Sequence, residues 1–150
     1  MNFEFGAARK LYEAGEHPRI YLSAAELPAL RRKLRCAHGR KILAAFRRRV
    51  RPVVEQVMAL EDDAPVAAVR GAERPWASLL PHAMEIAVLG AVDQDAEAVE
   101  AARRLLAMSA PVEKAGPASG QARHRVGCSQ AGGLALAYDL VQPVLGARER

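Results

Sequence analysis

Apolar residues recur at three- and four-residue spacing along most of the chain, and no stretch alternates apolar and polar positions as a half-buried strand would. The pattern therefore predicts an all-α protein. Residues 64–74 are expected to be a loop or a short irregular helix, and the Pro-, Gly- and Ser-rich residues 109–122 to be a loop. The predicted helices are one after Ser23, one from Gly39 to Ala59, one starting near Pro75, one from Asp93 to Met108, one from Val126 to Val141, and one opening at Gly146.

Prolines mark the points at which these helices should be irregular. Pro52 lacks a backbone donor and crowds the preceding turn, so we expect either a kink near Arg48 or two shorter helices that meet at Arg51. Pro81 is expected to delay the regular part of the third helix by one turn. The fifth helix should end before Pro143, because proline disfavours helical geometry in the residue ahead of it.

The first helix has a recognisable start. Ser23 and Glu26 stand at capping-box spacing, in which the hydroxyl accepts from a first-turn amide and the carboxylate reaches back to the Ser23 N–H. The segment that follows is amphipathic. Its apolar positions are Leu27, Leu30 and Leu34, and its basic positions are Arg31, Arg32, Lys33 and Arg35.

Composition suits one globular domain with a hydrophobic core. The chain has 150 residues, of which 51% are hydrophobic, and no apolar run long enough to span a bilayer. Residues 1–16 form a leader without the apolar stretch of a secretory signal. Cys36 and Cys128 are not at metal-ligand spacing, so we expect two free, mostly buried thiols. No phosphate-binding loop, zinc pattern or nucleophile elbow is present, and neither a metal nor a cofactor is expected.

The net charge of +5 is unevenly distributed. Residues 1–60 contain 13 Lys and Arg against 5 Asp and Glu, a net of +8, whereas residues 61–150 have a net of −3. Most of the excess lies in residues 31–51. These side chains are interpreted either as the solvated outer face of amphipathic helices or as a surface that attracts an acidic polysaccharide or nucleic acid. Nucleic acid is disfavoured, because no aromatic residues interleave the basic segment and no helix-turn-helix chemistry is recognisable.

Two segments carry a resemblance to a known family. The sequence His17-Pro18-Arg19-Ile20-Tyr21-Leu22-Ser23, with the Leu-Pro and Arg-rich turn after it, resembles the opening of the heparinase II/III-like polysaccharide lyases. Leu134-Ala135-Leu136-Ala137-Tyr138-Asp139-Leu140 is similar to that family's Ala-Leu-Ala-Tyr-Asp-Trp helix, with Leu140 where the family commonly has tryptophan. Residues 76–106 also resemble a toroid helix pair. The resemblance covers residues 17–150.

The resemblance implies the first antiparallel helical hairpins of an incomplete α/α toroid, the amino-terminal part of a lyase that acts by β-elimination on uronic-acid-containing polysaccharide. Such an enzyme neutralises the uronate carboxylate, removes the C5 proton and assists departure of the C4-linked sugar. In the family, an Asn or an acidic group, a His and a Tyr do this from later toroid helices and a β-rich domain. The only asparagine here is Asn2, so no catalytic residue is assigned and this chain alone is expected to be inactive.

Five residues are the substrate-binding candidates. Arg123 and Arg125 flank His124, and two guanidinium groups beside an imidazole can grip a carboxylate or sulfate. Tyr138 is expected to pack its ring in the core with the hydroxyl at a groove, and Asp139 to be a buried partner for an arginine or a helix end. A solvated loop is the alternative for the first three residues, and a purely structural role for the other two.

The other histidines are expected to have structural roles. His17 should form a local turn or hydrogen bond, His38 should be an exposed capping or linker residue, and His82 should lie in the core or a groove. Two further function classes stay open at this point. One is a non-catalytic helical carbohydrate-binding or interaction module, and the other is a basic nucleic-acid-binding helical domain.

Overall fold

The computed structural model describes residues 17–18, 20, 22–60, 78–114 and 132–145. These residues form α-helices and short 3-10 turns with no strand, so the predicted all-α class is confirmed for this part of the chain. The helices are α1 (Leu27–Leu34), α2 (Ala37–Met58), α3 (Ala83–Asp93), α4 (Ala96–Lys114) and α5 (residues 132–141), and 3-10 turns lie at Leu80–His82 and Gln142–Val144.

Helix α3 lies at the centre of the core and is apolar on more than one side, as predicted. It contacts α1, α2 and α4, and the two-residue connection to α4 makes α3 and α4 an antiparallel hairpin. Side chains from four helices fill the core between them. The largest fully buried side chains are Val50, Val54 and Val57 of α2, Ile86 and Leu89 of α3, Leu105 of α4 and Val141 of α5.

Two helix contacts depend on glycine. A Cβ at Gly39 would lie 2.5 Å from the carbonyl oxygen of Lys33 and 2.6 Å from Cα of Leu34, both backbone atoms that cannot move aside. A Cβ at Gly90 would lie 2.6 Å from Cγ2 of Val99. The α1–α2 corner and the α3–α4 hairpin therefore both need a residue without a side chain at the point of closest approach.

Helix α2 continues through Pro52 as one element, so the expectation of two helices meeting at Arg51 is wrong. Pro52 lies on the exposed face, and the carbonyl left without its donor is that of Arg48, another exposed residue. Water can satisfy that carbonyl. Meanwhile Val50 and Val54 on either side are buried in the core and keep the flanking turns in one helix.

The remaining boundaries differ from prediction in specific ways. A 3-10 turn precedes α3 at Pro81, so the delayed start is confirmed, and α5 ends before Pro143 as predicted. Helix α4 starts after Asp95 instead of Asp93 and runs to Lys114, so residues 109–114 of the predicted loop are helical. Ala110, Glu113 and Lys114 in that stretch are strong helix formers. The loop over 64–74, the rest of the loop to 122 and the helix starts near Pro75, Val126 and Gly146 lie outside the described residues.

Half of the predicted capping box is present. Oε2 of Glu26 accepts from the Ser23 N–H at 2.8 Å, but the Ser23 hydroxyl donates to the same oxygen at 2.9 Å instead of capping a first-turn amide. These two hydrogen bonds lower the pKa of Glu26. Helix α1 consequently starts at Leu27, one turn later than the box alone would place it. No helix in the described residues is both long enough and apolar enough to cross a membrane.

Candidate functional site

The candidate site joins the amino-terminal segment at residues 17–20 to helix α5. Asp139 of α5 is 2% exposed, and its two carboxylate oxygens have different partners. Oδ1 lies 2.7 Å from Nδ1 of His17, and Oδ2 accepts from the backbone N–H of Ile20 at 2.9 Å. We call His17, Ile20, Tyr138 and Asp139 the His17–Asp139 cluster. It links positions 122 residues apart in the sequence.

Hydrogen-bond chemistry fixes the imidazole of His17. Because a carboxylate only accepts, Nδ1 is the nitrogen that donates to Asp139. The ring is also held from the side, since Tyr138 meets it edge-on with the ring centroids 6.2 Å apart and the planes at 83°. The His17 side chain is only 10% exposed. The arrangement is an oriented imidazole in a largely water-excluded setting.

The local sequence explains how the cluster is positioned. On α5, Ala137 and Val141 are buried in the core, and their spacing leaves Tyr138 and Asp139 at the margin of the core facing the amino-terminal segment. On the other side, Pro18 is buried and follows His17 through a cis peptide bond. The carboxylate thus ties the amino-terminal segment to α5 through one side chain and one main-chain amide.

The structure brings together two of the five predicted binding residues. Tyr138 and Asp139 lie in the cluster, with the Tyr138 ring packed against the core as expected. Arg123, His124 and Arg125 lie outside the described residues. His17 was expected to make a local turn or hydrogen bond, and the local part of that prediction is wrong, because its partner is on α5. Neither segment of the sequence indicates by itself the contact between them.

The other predicted residues have varied positions. His38 is exposed, as predicted. His82 is 44% exposed and lies 3.5 Å from Glu85, so it is outside the core. Cys36 is a free, exposed thiol, which corrects the expectation of burial. It stands in the α1–α2 turn, where its Sγ accepts from the Gly39 N–H as the cap of α2. The described residues contain no group of three or more His, Cys, Asp or Glu that could hold a metal ion.

Part of the basic amino-terminal half is neutralised by ion pairs. Arg47 donates to both oxygens of Asp93, from Nε at 2.8 Å and from Nη2 at 2.6 Å. This hydrogen bonding and the charge of Asp93 raise the pKa of Arg47. Two further arginines of α2 reach acidic groups of α3 and the start of α4. The resulting α2 ion-pair seam consists of Arg47–Asp93, Arg49–Glu85, Arg51–Asp95 and Arg51–Glu97.

The other Lys and Arg side chains of residues 22–60 make no ion pair with a described residue. Those that are also exposed form a cationic surface on α1, on the α1–α2 turn and on the outer side of α2, and they are Arg32, Lys33, Arg35, Arg40, Lys41 and Arg48. The described part of the basic half therefore contains both arginines that are paired with acids and basic side chains that are not. Comparison of the chain with protein families, with curated proteins and with solved structures finds no match.

Proposed function

We propose that this chain is the amino-terminal helical scaffold of a heparinase II/III-like polysaccharide lyase, with its helices forming the first part of an incomplete α/α toroid. The observation that carries the proposal is the hydrogen bond between His17 and Asp139. Each residue belongs to one of the two segments that resemble the family. A chance likeness in two short, separate segments gives no reason for them to meet, whereas a shared ancestral fold does.

In this proposal the chain positions groups and does not itself carry out the elimination. Oδ1 of Asp139 is paired with Nδ1 of His17, Oδ2 accepts from the Ile20 N–H, and Asp139 is buried. The chain also contains no Asn–His pair that would clamp a uronate. The reacting groups of the lyase would come from outside these 150 residues. The cluster would hold the amino-terminal segment against α5 and so fix the edge of the substrate groove.

The proposed partner is an acidic polysaccharide. The cationic surface supports this choice, because exposed Lys and Arg without acidic partners attract a polyanion. A helical carbohydrate-binding module without lyase chemistry is the alternative that the same surface supports. Nucleic acid is the weaker choice, because no aromatic residues interleave the basic segment and no helix-turn-helix chemistry is recognisable in the sequence.

The test compares how tightly different polyanions bind to the purified chain. We expect oligogalacturonate or a sulfated uronate oligosaccharide to bind more tightly than single-stranded DNA of matched charge. Binding should weaken several-fold as salt rises from roughly 0.05 to 0.2 M. We also expect no unsaturated uronate product, followed by its ultraviolet absorbance, from this chain with alginate, heparin or heparan sulfate.

Variants locate the binding surface. The Arg123→Ala/Arg125→Ala double substitution should weaken oligosaccharide binding, and Arg47→Ala/Arg49→Ala is the charge-matched control in the neutralised seam. Tighter binding of DNA than of oligosaccharide would overturn the proposed partner. Formation of unsaturated product would overturn the scaffold role and make Tyr138 and His124 the first residues to substitute.

A further inference from the structure

The α1–α2 corner contains a cavity that Arg35 and Arg40 of the cationic surface help to line. It has a volume of about 160 Å³ and lies between α1, the first turns of α2 and the end of α3. Leu34 and Leu43 form part of its wall, and the charged groups that line it are Arg31, Arg35, Arg40 and Asp93. It shares no residue with the His17–Asp139 cluster.

Arg31 is the fixed cation of this cavity. Its Nε and Nη2 both donate to the main-chain carbonyl oxygen of Ala91 at the end of α3, at 3.1 and 2.7 Å. That bond holds a partly buried guanidinium in place and leaves Nη1 free to donate. A carbonyl oxygen is neutral, so within the described residues the charge of Arg31 is not balanced by an ion pair.

Arg35 and Arg40 add two more cations, and one is also oriented. Nη1 of Arg40 donates to the carbonyl oxygen of Arg35 at 3.2 Å, which holds the Arg40 side chain across the α1–α2 turn. Neither residue makes an ion pair with a described group. The one acid of the lining, Asp93, already receives hydrogen bonds from Arg47 on both of its oxygens. The cavity therefore presents three guanidinium groups with spare donors and a carboxylate that is already paired.

We propose that this cavity is a binding site for an oxyanion group, a sulfate, phosphate or carboxylate, held by Arg31, Arg35 and Arg40. Guanidinium groups bind such anions through paired, charge-assisted hydrogen bonds. Arg31 is half-buried beside Leu34 and Leu43, whereas Arg35 and Arg40 are exposed, so an entering oxyanion would meet one partly desolvated guanidinium group and two solvated ones. The site takes the group itself, whether it is free or attached to a sugar or a nucleotide.

The first experiment titrates sodium sulfate, sodium phosphate and sodium acetate into the folded chain at constant ionic strength, with sodium chloride as the reference. Binding is followed by calorimetry and by the Nε–Hε NMR signals of the arginines. We expect saturable binding of at least one oxyanion that shifts the Arg31, Arg35 and Arg40 signals and leaves that of Arg48 unmoved. The Arg35→Gln/Arg40→Gln variant should weaken binding roughly tenfold or more.

The matched control is Arg32→Gln/Arg48→Gln, which removes the same charge from exposed positions outside the cavity and should change affinity less than about twofold. Thermal unfolding checks that both variants are folded. Equal weakening by the two variants, or no saturable binding of any of the three oxyanions, would overturn the site. A sulfated disaccharide and a nucleoside monophosphate, each against its uncharged parent, distinguish the sources. Tighter binding of either than of the free ion, lost in Arg35→Gln/Arg40→Gln, supports the site and identifies its carrier.

Discussion

The His17–Asp139 contact and the α2 ion-pair seam use similar groups in very different surroundings. In the contact, the two side chains are 10% and 3% exposed. In the seam, Arg47 is 47% and Arg49 is 63% exposed. Buried polar groups that lose a partner also lose access to water, whereas exposed groups are rehydrated at little cost. We therefore expect one buried contact to outweigh each of the seam's bridges, although the seam contains more short distances.

The largest effect is expected at Asp139. Replacing it with Leu leaves the N–H groups of His17 and Ile20 without their acceptor in a largely buried setting. The free energy of unfolding should fall by about 3 kcal/mol. Asp139→Asn retains one acceptor oxygen and should lose roughly half as much. Urea unfolding followed by circular dichroism measures both. Asp93→Leu in the seam is the counterpart, and an equal loss there would break the comparison.

Asp95 should come next, because it has two roles. Its Oδ1 accepts from the N–H groups of Glu97 and Ala98, each at 3.1 Å, and so caps α4, while Oδ2 pairs with Arg51 at 2.6 Å. Asp95→Ala should cost about 1 to 2 kcal/mol. Asp95→Asn retains the cap and loses the charge. If Asn costs as much as Ala, the ion pair and not the cap provides the stability, and the seam is stronger than we infer.

Single arginines of the seam should matter less. We expect Arg51→Gln and Arg47→Gln each to cost up to about 1 kcal/mol, and Arg49→Gln close to zero because Arg49 is the most exposed arginine of the seam. Unfolding at low and at high salt sharpens this ranking, since the differences from the parent should shrink as salt screens the exposed pairs. Losses that persist at about 1 M salt would show that the seam behaves as a buried network.

The smallest expected effect is on the stability of the fold at acidic pH. The hydrogen bond from Arg103, followed in size by the charge of Arg103 and contacts with Arg104, lowers the pKa of Glu100 below its usual 4.5. A lowered folded-state pKa contributes stability above pH 4.5, and that contribution is lost as pH falls through the lower folded value. Since Glu100 is about a third exposed, the contribution should be only a few tenths of a kcal/mol, about 0.3.

A substitution isolates this contribution. In Arg103→Gln, the pKa of Glu100 should rise toward 4.5, which an NMR titration of its carboxyl carbon measures directly. The acid arm of the stability curve should flatten slightly. Arg49→Gln, which does not contact Glu100, is the control. An unchanged Glu100 pKa in Arg103→Gln would mean that another group lowers it.

The helices were predictable because their causes are local. The apolar spacing from Ile42 to Val57 indicated α2. Pro81 delays the start of α3 and Pro143 follows the end of α5, as expected from a residue with no N–H donor and a fixed φ. Prediction failed where burial or side-chain geometry decided. Pro52 did not divide α2, because the core holds both sides of it. Asp95 replaced Asp93 as the cap of α4, because Gln94 adopts a left-handed conformation with φ of 57° and ends α3 between them.

The site was less predictable than the helices. Tyr138 and Asp139 were selected from the sequence, but the role of His17 depends on a contact across 122 residues. No local pattern encodes such a contact. The same applies to the basic half: a count of Arg residues is the same whether or not α3 and α4 provide carboxylates opposite them. The tertiary arrangement of Asp93, Asp95 and Glu97 decides which positive charges stay available.

The sequence separation of the His17–Asp139 contact also has a kinetic consequence. Closing a loop of that length costs chain entropy. This cost is offset only after the amino-terminal segment and α5 can both pack against the rest of the fold. The α3–α4 hairpin, by contrast, has a two-residue connection and can form early. The contact should therefore be absent from the folding transition state. Substitutions at Asp139 should leave the folding rate nearly unchanged and accelerate unfolding, so that this one carboxylate determines how long the folded chain lasts and not how fast it forms.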